Sequence, residues 1–146
     1  GMEIVVVERK GVALLPCGLA WLEVAGDGVA LQLHEAPAGL GLPVLEGIEP
    51  ALIGLGEKVP GEARQALQAL AAMAAVGEPA SRATLSPAGF EVVLADGTLL
   101  YLGPPDAGLG ARVEMVLAIR AQLREMRRQV VYIDVRVPGQ PVVKPR

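Results

Sequence analysis

Tyr132-Ile133-Asp134-Val135-Arg136-Val137-Pro138-Gly139-Gln140-Pro141-Val142-Val143-Lys144-Pro145-Arg146 is the stretch on which the reading of this chain turns. From Val131 to Val137 apolar and polar residues alternate, the period-two pattern of a strand with one buried and one solvated face. Pro138-Gly139 then supplies a tight turn, because proline fixes φ and glycine accepts a positive φ. Val142, Val143 and Lys144 predict a short last strand between Pro141 and Pro145. A strand flanked by prolines fits the edge of a sheet. Exposed edges recruit other strands, so function is expected there.

Working back from this ribbon, residues 109–129 predict the clearest helix. Leu109, Val113, Val116, Ile119, Leu123, Met126 and Val130 fall on one face, with Arg112, Arg120, Arg124 and Arg127 mostly elsewhere. Residues 90–94 and 98–102 form a hairpin through Asp96-Gly97, and residues 83–85 precede them across Ser86-Pro87-Ala88-Gly89. A second helix opens at Pro60 or Gly61 and runs to about residue 76. Its apolar stripe is Ala63, Leu67, Leu70 and Ala74, and Gly77 ends it. Residues 35–61 are dense in Gly and Pro and read as loop, apart from one compact apolar stop, Leu42-Pro43-Val44-Leu45-Glu46-Gly47. Near the start, residues 4–8 and 12–15 predict strands, and residues 19–24 and 29–33 flank the turn Ala25-Gly26-Asp27-Gly28. The order predicts an α+β fold: a mainly antiparallel β-sheet with two principal α-helices packed on one side. No internal repeat or flexible linker divides it.

Composition narrows the function. Of 146 residues, 52% are hydrophobic and 20% charged, which excludes intrinsic disorder for the chain as a whole. With one Trp, two Tyr and one Phe, the core must come from Leu, Val, Ile and Ala, and stacking platforms for bases are scarce. The net charge of −3 also argues against nucleic acid as a partner. No run of eighteen apolar residues is present, and Glu3, Glu8, Arg9 and Lys10 break up the only candidate leader. Gly1 before Met2 looks like a tag remnant. Asparagine is absent, which suits either a heat-adapted source or GC-rich codon usage.

A search for chemistry finds little. The single histidine, His34, sits at a strand end without HxxH, HExxH or CxxC spacing, so a surface histidine is the favoured reading over a catalytic one. Cys17 follows a proline without a neighbouring base and reads as a structural thiol. The glycine stretches 38–42 and 54–58 lack the spacing of phosphate-binding loops. Asp27 and Asp96 each precede glycine, and turn formation accounts for them. Arg120, Arg124, Arg127 and Arg128 lie at a helix C-terminal end, where cations complement the macrodipole; an acidic partner is the minority reading. Asp134 and Arg136 share a strand face and are placed for a surface ion pair contributing at most about 1 kcal/mol. No catalytic, metal-binding or cofactor-binding set emerges.

Five motifs stand in the order of one known family. Val5-Val6-Val7-Glu8-Arg9-Lys10-Gly11-Val12-Ala13 resembles the signature V-x-ER-x-P-x-A that leads out of the preceding POTRA domain, with Gly11 in place of the usual proline. Trp21-Leu22-Glu23-Val24-Ala25-Gly26-Asp27-Gly28-Val29 is similar to the family's D-x-x-G-x-V element, and Leu42-Pro43-Val44-Leu45-Glu46-Gly47 to its LP-x-L-x-G stop. Thr98-Leu99-Leu100-Tyr101-Leu102-Gly103 and the helix after it take the place of the family's strand, LG and long helix. Tyr132 to Pro138 resembles the Y-x-DLRY-P ending, with Val137 where an aromatic is common. Taken in order, these motifs resemble the FtsQ/DivIB family of bacterial cell-division proteins, in its extracytoplasmic β domain.

The resemblance implies residues 11–146 as the β domain, and residues 1–10 as a tag remnant and the last strand of a truncated POTRA domain. It also implies a protein anchored in the plasma membrane by one helix outside this sequence, with this domain on the extracytoplasmic side. The implied role is a non-catalytic divisome scaffold that binds FtsB- and FtsL-type partners by β-augmentation, without cofactor, metal or small-molecule substrate. Residues implied at the contact are Arg136, Val137, Gly139, Val142, Val143 and Lys144. The alternatives are a POTRA-associated outer-membrane assembly or secretion scaffold, or a small ligand-binding or hydrolase domain built on His34 and the glycine loops.

Overall fold

The computed structural model of the chain describes residue 3, residues 8–48 and residues 53–146. The strand expected at 4–8 falls largely outside them. Among the described residues nine strands and two helices follow one another as β1 (Gly11–Cys17), β2 (Ala20–Ala25), β3 (Ala30–His34), β4 (Val44–Glu46), α1 (Gly61–Ala75), β5 (Ala80–Ser86), β6 (Gly89–Leu94), β7 (Leu99–Gly103), α2 (Leu109–Glu125), β8 (Val130–Asp134) and β9 (Val142–Pro145). The strands form one sheet in the order β3-β2-β1-β4-β5-β6-β7-β8-β9.

The α+β class holds, and five of the eight pairings are antiparallel, but the sheet is mixed. β1 with β4, β4 with β5, and β7 with β8 run parallel. For the last two of these the reason lies in the helices. α1 connects β4 to its neighbour β5, and α2 connects β7 to its neighbour β8. A helix that returns the chain to the adjacent position makes the two strands parallel, as a tight turn cannot. Both helices contact each other and lie on the same face.

β4 is the element the residue pattern understated. Its three residues carry too few positions for a period to show, yet it joins the two halves of the sheet, pairing Val44 with Leu14 on one side and Arg82 on the other. Gly47 closes it at φ 98°, and a Cβ there would lie 1.7 Å from the Leu85 carbonyl oxygen. The stop is therefore a glycine because strand β5 passes directly against its backbone.

Beneath the helices, successive strands contribute Leu15, Leu22, Leu45, Val92, Leu100 and Ile133, all at or near zero exposure. Against these α1 sets Ala63, Ala66, Leu67, Ala69, Leu70 and Met73, and α2 sets Leu109, Val113, Val116 and Leu123. Small alanines on α1 permit close approach to the sheet. The buried face of α1 is wider than the expected stripe and excludes Ala74, which is exposed. α2 stops four residues before the expected end, leaving Met126 exposed and Val130 to open β8. The alternation at 131–137 holds where Ile133 and Val135 are buried, and fails at its ends, where Val131 and Val137 are exposed. A bulge between Val130 and Tyr132 turns Val131 outward and puts Val130 in the core.

Candidate partner-docking edge

β8, the turn after it and β9 build the candidate site. The Gln140 amide donates to the Val137 carbonyl at 3.2 Å, with Pro138 and Gly139 at the corner and Gly139 at φ 72°. Proline first and a positive-φ residue second is the type II arrangement. β9 then runs back antiparallel to β8, pairing Asp134 with Val142, Ile133 with Val143 and Tyr132 with Lys144.

β9 is last in the sheet order, with β8 its only strand neighbour among the described residues. The Arg146 amide donates to the Gln129 carbonyl at 3.2 Å, which sets the alternation along the strand. Lys144 and Val142 then turn their amides toward β8, and Pro141, Val143 and Pro145 occupy the outward positions. Two of those three lack an amide hydrogen, so Val143 carries the one outward N–H of β9. The prolines cost the sheet nothing there, because no ladder bond is lost. They leave an edge with a single donor flanked by carbonyls.

Arg136, Val137, Gly139, Val142 and Lys144 are exposed, and Val143 is half-buried with its side chain packed against the core. The structure therefore brings the six expected residues together around one turn and one edge. The side chain of Arg136 is already engaged. Its Nε and Nη2 donate to the two carboxylate oxygens of Asp134 at 3.0 and 2.7 Å, and its guanidinium carbon lies 4.7 Å from the centroid of the Tyr101 ring. The hydrogen bond from Arg136 holds the Asp134 carboxyl below its usual range and raises the guanidinium in turn. Tyr101 stands edge-on to Tyr132 at 5.6 Å. Residue reading missed Tyr101, because only the β7–β8 register, with Tyr101 opposite Asp134, places its ring under Arg136.

The other singled-out residues lie apart from this edge. His34 meets the Glu23 carboxylate at 2.7 Å on the helix-free face of the sheet, and it lines neither the hollow at the exit of α2 nor the one between α1 and α2. Cys17 is a half-buried free thiol. The loop at 54–58 lies against β3. Asp27 and Asp96 accept from the amides of Val29 and Thr98 at 3.2 and 2.9 Å, as turn residues do. Among the described residues no group of three or more His, Cys, Asp or Glu is arranged to hold a metal ion, and no helix is long and apolar enough to cross a membrane.

Comparison with known proteins agrees with this architecture. The major extracytoplasmic domain of the cell-division protein DivIB from Geobacillus stearothermophilus, in its trans isomer, superposes with a TM-score of 0.55 at 17% identity, over 82% of this chain and 98% of that one. At that identity the likeness shows the fold. No curated protein matches in sequence. The family description "Cell division protein FtsQ/DivIB, C-terminal" matches residues 18–136, from the turn before β2 to the Arg136 that follows β8. With most of its length matched, the chain belongs to the FtsQ/DivIB family of cell-division proteins, as the C-terminal domain.

Proposed function

We propose that this domain is a non-catalytic docking module of the division machinery, and that it accepts a strand from an FtsB- or FtsL-type partner along β9. The observation that carries the reading is the outward amide of Val143 between Pro141 and Pro145 on the last strand of the sheet. In β-augmentation, main-chain hydrogen bonds supply affinity and alternate side chains supply selectivity. Val142 and Lys144 project from the helix-free face beside Tyr132 and Asp134, where an incoming strand would meet them. The Asp134 pairing uses Nε and Nη2 of Arg136, which leaves Nη1 of the fork for an acidic partner residue. In this reading residues 11–146 form the β domain, which accords with β1 opening at Gly11. Residues 1–10 are then a tag remnant and the end of a POTRA domain. The whole protein is held in the plasma membrane by a helix outside this sequence, with this domain on the extracytoplasmic side.

The test is Val143→Pro, titrated with a peptide spanning the strand-forming part of an FtsB-type partner. Loss of the outward donor is expected to weaken binding by about tenfold or more. Thermal melting followed by circular dichroism separates a lost edge from a lost fold. An intact fold with unchanged affinity would end the edge-docking reading.

A further inference from the structure

At the opposite end of β8 from Arg136, the exit of α2 opens a hollow of about 390 Å³ walled by Arg120, Arg124, Arg127, Arg128 and Arg146, with Asp96 at its rim. Five of the chain's thirteen basic residues meet here, although the protein as a whole carries a net charge of −3. Arg120 is a fixed part of the wall: it donates to the buried Glu78 at 2.6 Å, to the Thr98 hydroxyl at 3.0 Å and to Asp96 at 2.7 Å. Arg124 closes on the other oxygen of Glu78. Five guanidinium groups thus face two side-chain carboxylates, and among the described residues Arg127, Arg128 and Arg146 have no acidic side chain as partner.

The helix macrodipole accounts for a cation in the last turn of α2, where Arg124 sits. It does not account for Arg146, which arrives from the end of β9. Arg146 is tied to Gln129 through its amide, and its guanidinium lies over the turn at Gly97.

The two helix ends supply a second observation. Each closes with the same pair of bonds: Gly77 to Ala74 and Glu78 to Met73 at α1, Arg127 to Arg124 and Arg128 to Leu123 at α2. The residue after the cap needs a left-handed backbone. α1 places Gly77 there at φ 79°, whereas α2 places Arg127 there at φ 53°, the one non-glycine with positive φ among the described residues. Glycine is the favoured residue at this position, and a side chain there is strained. Such strain is concentrated where a side chain is needed for function.

We propose that this hollow binds phosphate-ester anions. All five cations are arginine, whose planar fork matches phosphate oxygens in pairs. The hollow is concave and small. Its apolar walls, Leu123 and Val130, are buried and offer no ledge for the side chains of an acidic peptide. The site lies at the far end of β9 from the turn and differs from the docking edge in chemistry, and it stands whether or not the docking reading does.

The experiment pairs the full chain with Arg127→Gly/Arg128→Ser. Arg127→Gly relieves the backbone, so the variant is expected to melt at or above the parent temperature. Inorganic pyrophosphate, vesicles of phosphatidylcholine with and without phosphatidylglycerol, and poly-glutamate are the probes. Saturable pyrophosphate binding that falls about tenfold or more in the variant supports the site. Additional capture by the phosphatidylglycerol vesicles, lost in the variant, assigns the ligand to a lipid headgroup; no capture assigns it to a soluble phosphate. Equal binding by parent and variant, no pyrophosphate binding, or preference for poly-glutamate would each overturn the proposal.

Discussion

The two edges of the sheet are handled in opposite ways. β3 is covered from within at its start: the Ala30 amide donates to the Glu57 carbonyl at 2.9 Å, the Gly56 amide donates to the Ala30 carbonyl at 2.8 Å, and Val29 just before the strand bridges Lys58. β9 has β8 on one side and, on the other, two prolines and one amide. Covering an edge with a loop satisfies its backbone inside the molecule. Proline limits an edge without satisfying it, so the edge stays reachable to a strand that needs only what Val143 offers. The contrast separates an end of the sheet that the chain's own loop partly closes from an end suited to selective pairing.

The most severe way to break this contrast is to cut the sheet between its edges. Leu45→Ala at the centre of β4 removes a fully buried side chain and is expected to cost about 2–5 kcal/mol. Denaturant unfolding should still show one transition, because β4 ties the β1–β3 half to the β5–β9 half. Two separated transitions would mean that the halves, and hence the edges, are independent.

Opening β9 comes next. Replacing Pro141 and Pro145 together by threonine restores two outward donors to the edge. Sedimentation should then show concentration-dependent self-association that the parent lacks; a strictly monomeric variant would assign the prolines a role in the turn rather than in guarding the edge.

Acid sharpens the picture at the β6–β7 turn, away from both edges. Burial alone would raise the Asp96 carboxyl, but the Thr98 amide, the Arg120 guanidinium and the Thr98 hydroxyl together lower it to about 2. A depressed carboxylate contributes its stability above the unfolded value and loses it as pH falls through the folded one. The contribution should therefore fade from about pH 4 to about pH 2 in the parent. Asp96→Asn should flatten that part of the stability curve, and an unchanged curve would show the turn to be uncoupled from folding.

The smallest effect belongs to the covered edge. Leu33→Lys on β3 changes an exposed side chain and should leave partner affinity within about twofold, as surface substitutions away from an interface do. A large loss would move the docking site to the wrong edge.

Much of this was legible in the residues. Hairpins at Asp27-Gly28 and Asp96-Gly97, the glycine stop after α1 and the strand-turn-strand ending all follow from local backbone preference, which needs no knowledge of the rest of the chain. The Pro141 and Pro145 pair even marked β9 as an edge. Direction and depth were harder. The parallel pairings depend on where a helix returns the chain, and Leu45, three residues from a glycine-rich loop, is central only because two strands close around it. At the candidate site the six expected residues converge, while the ring beneath Arg136 belongs to another strand and carries no local signal.

Sequence alone determined the class of the fold, its turn chemistry and the proline-bracketed terminal strand, because each depends on residues near one another in the chain. Tertiary structure decided the mixed sheet, the loop laid against the start of β3, the Tyr101–Arg136–Asp134 cluster and the convergence of five arginines at the end of α2. Those depend on register and on through-space approach, which distant stretches of chain settle only by packing together.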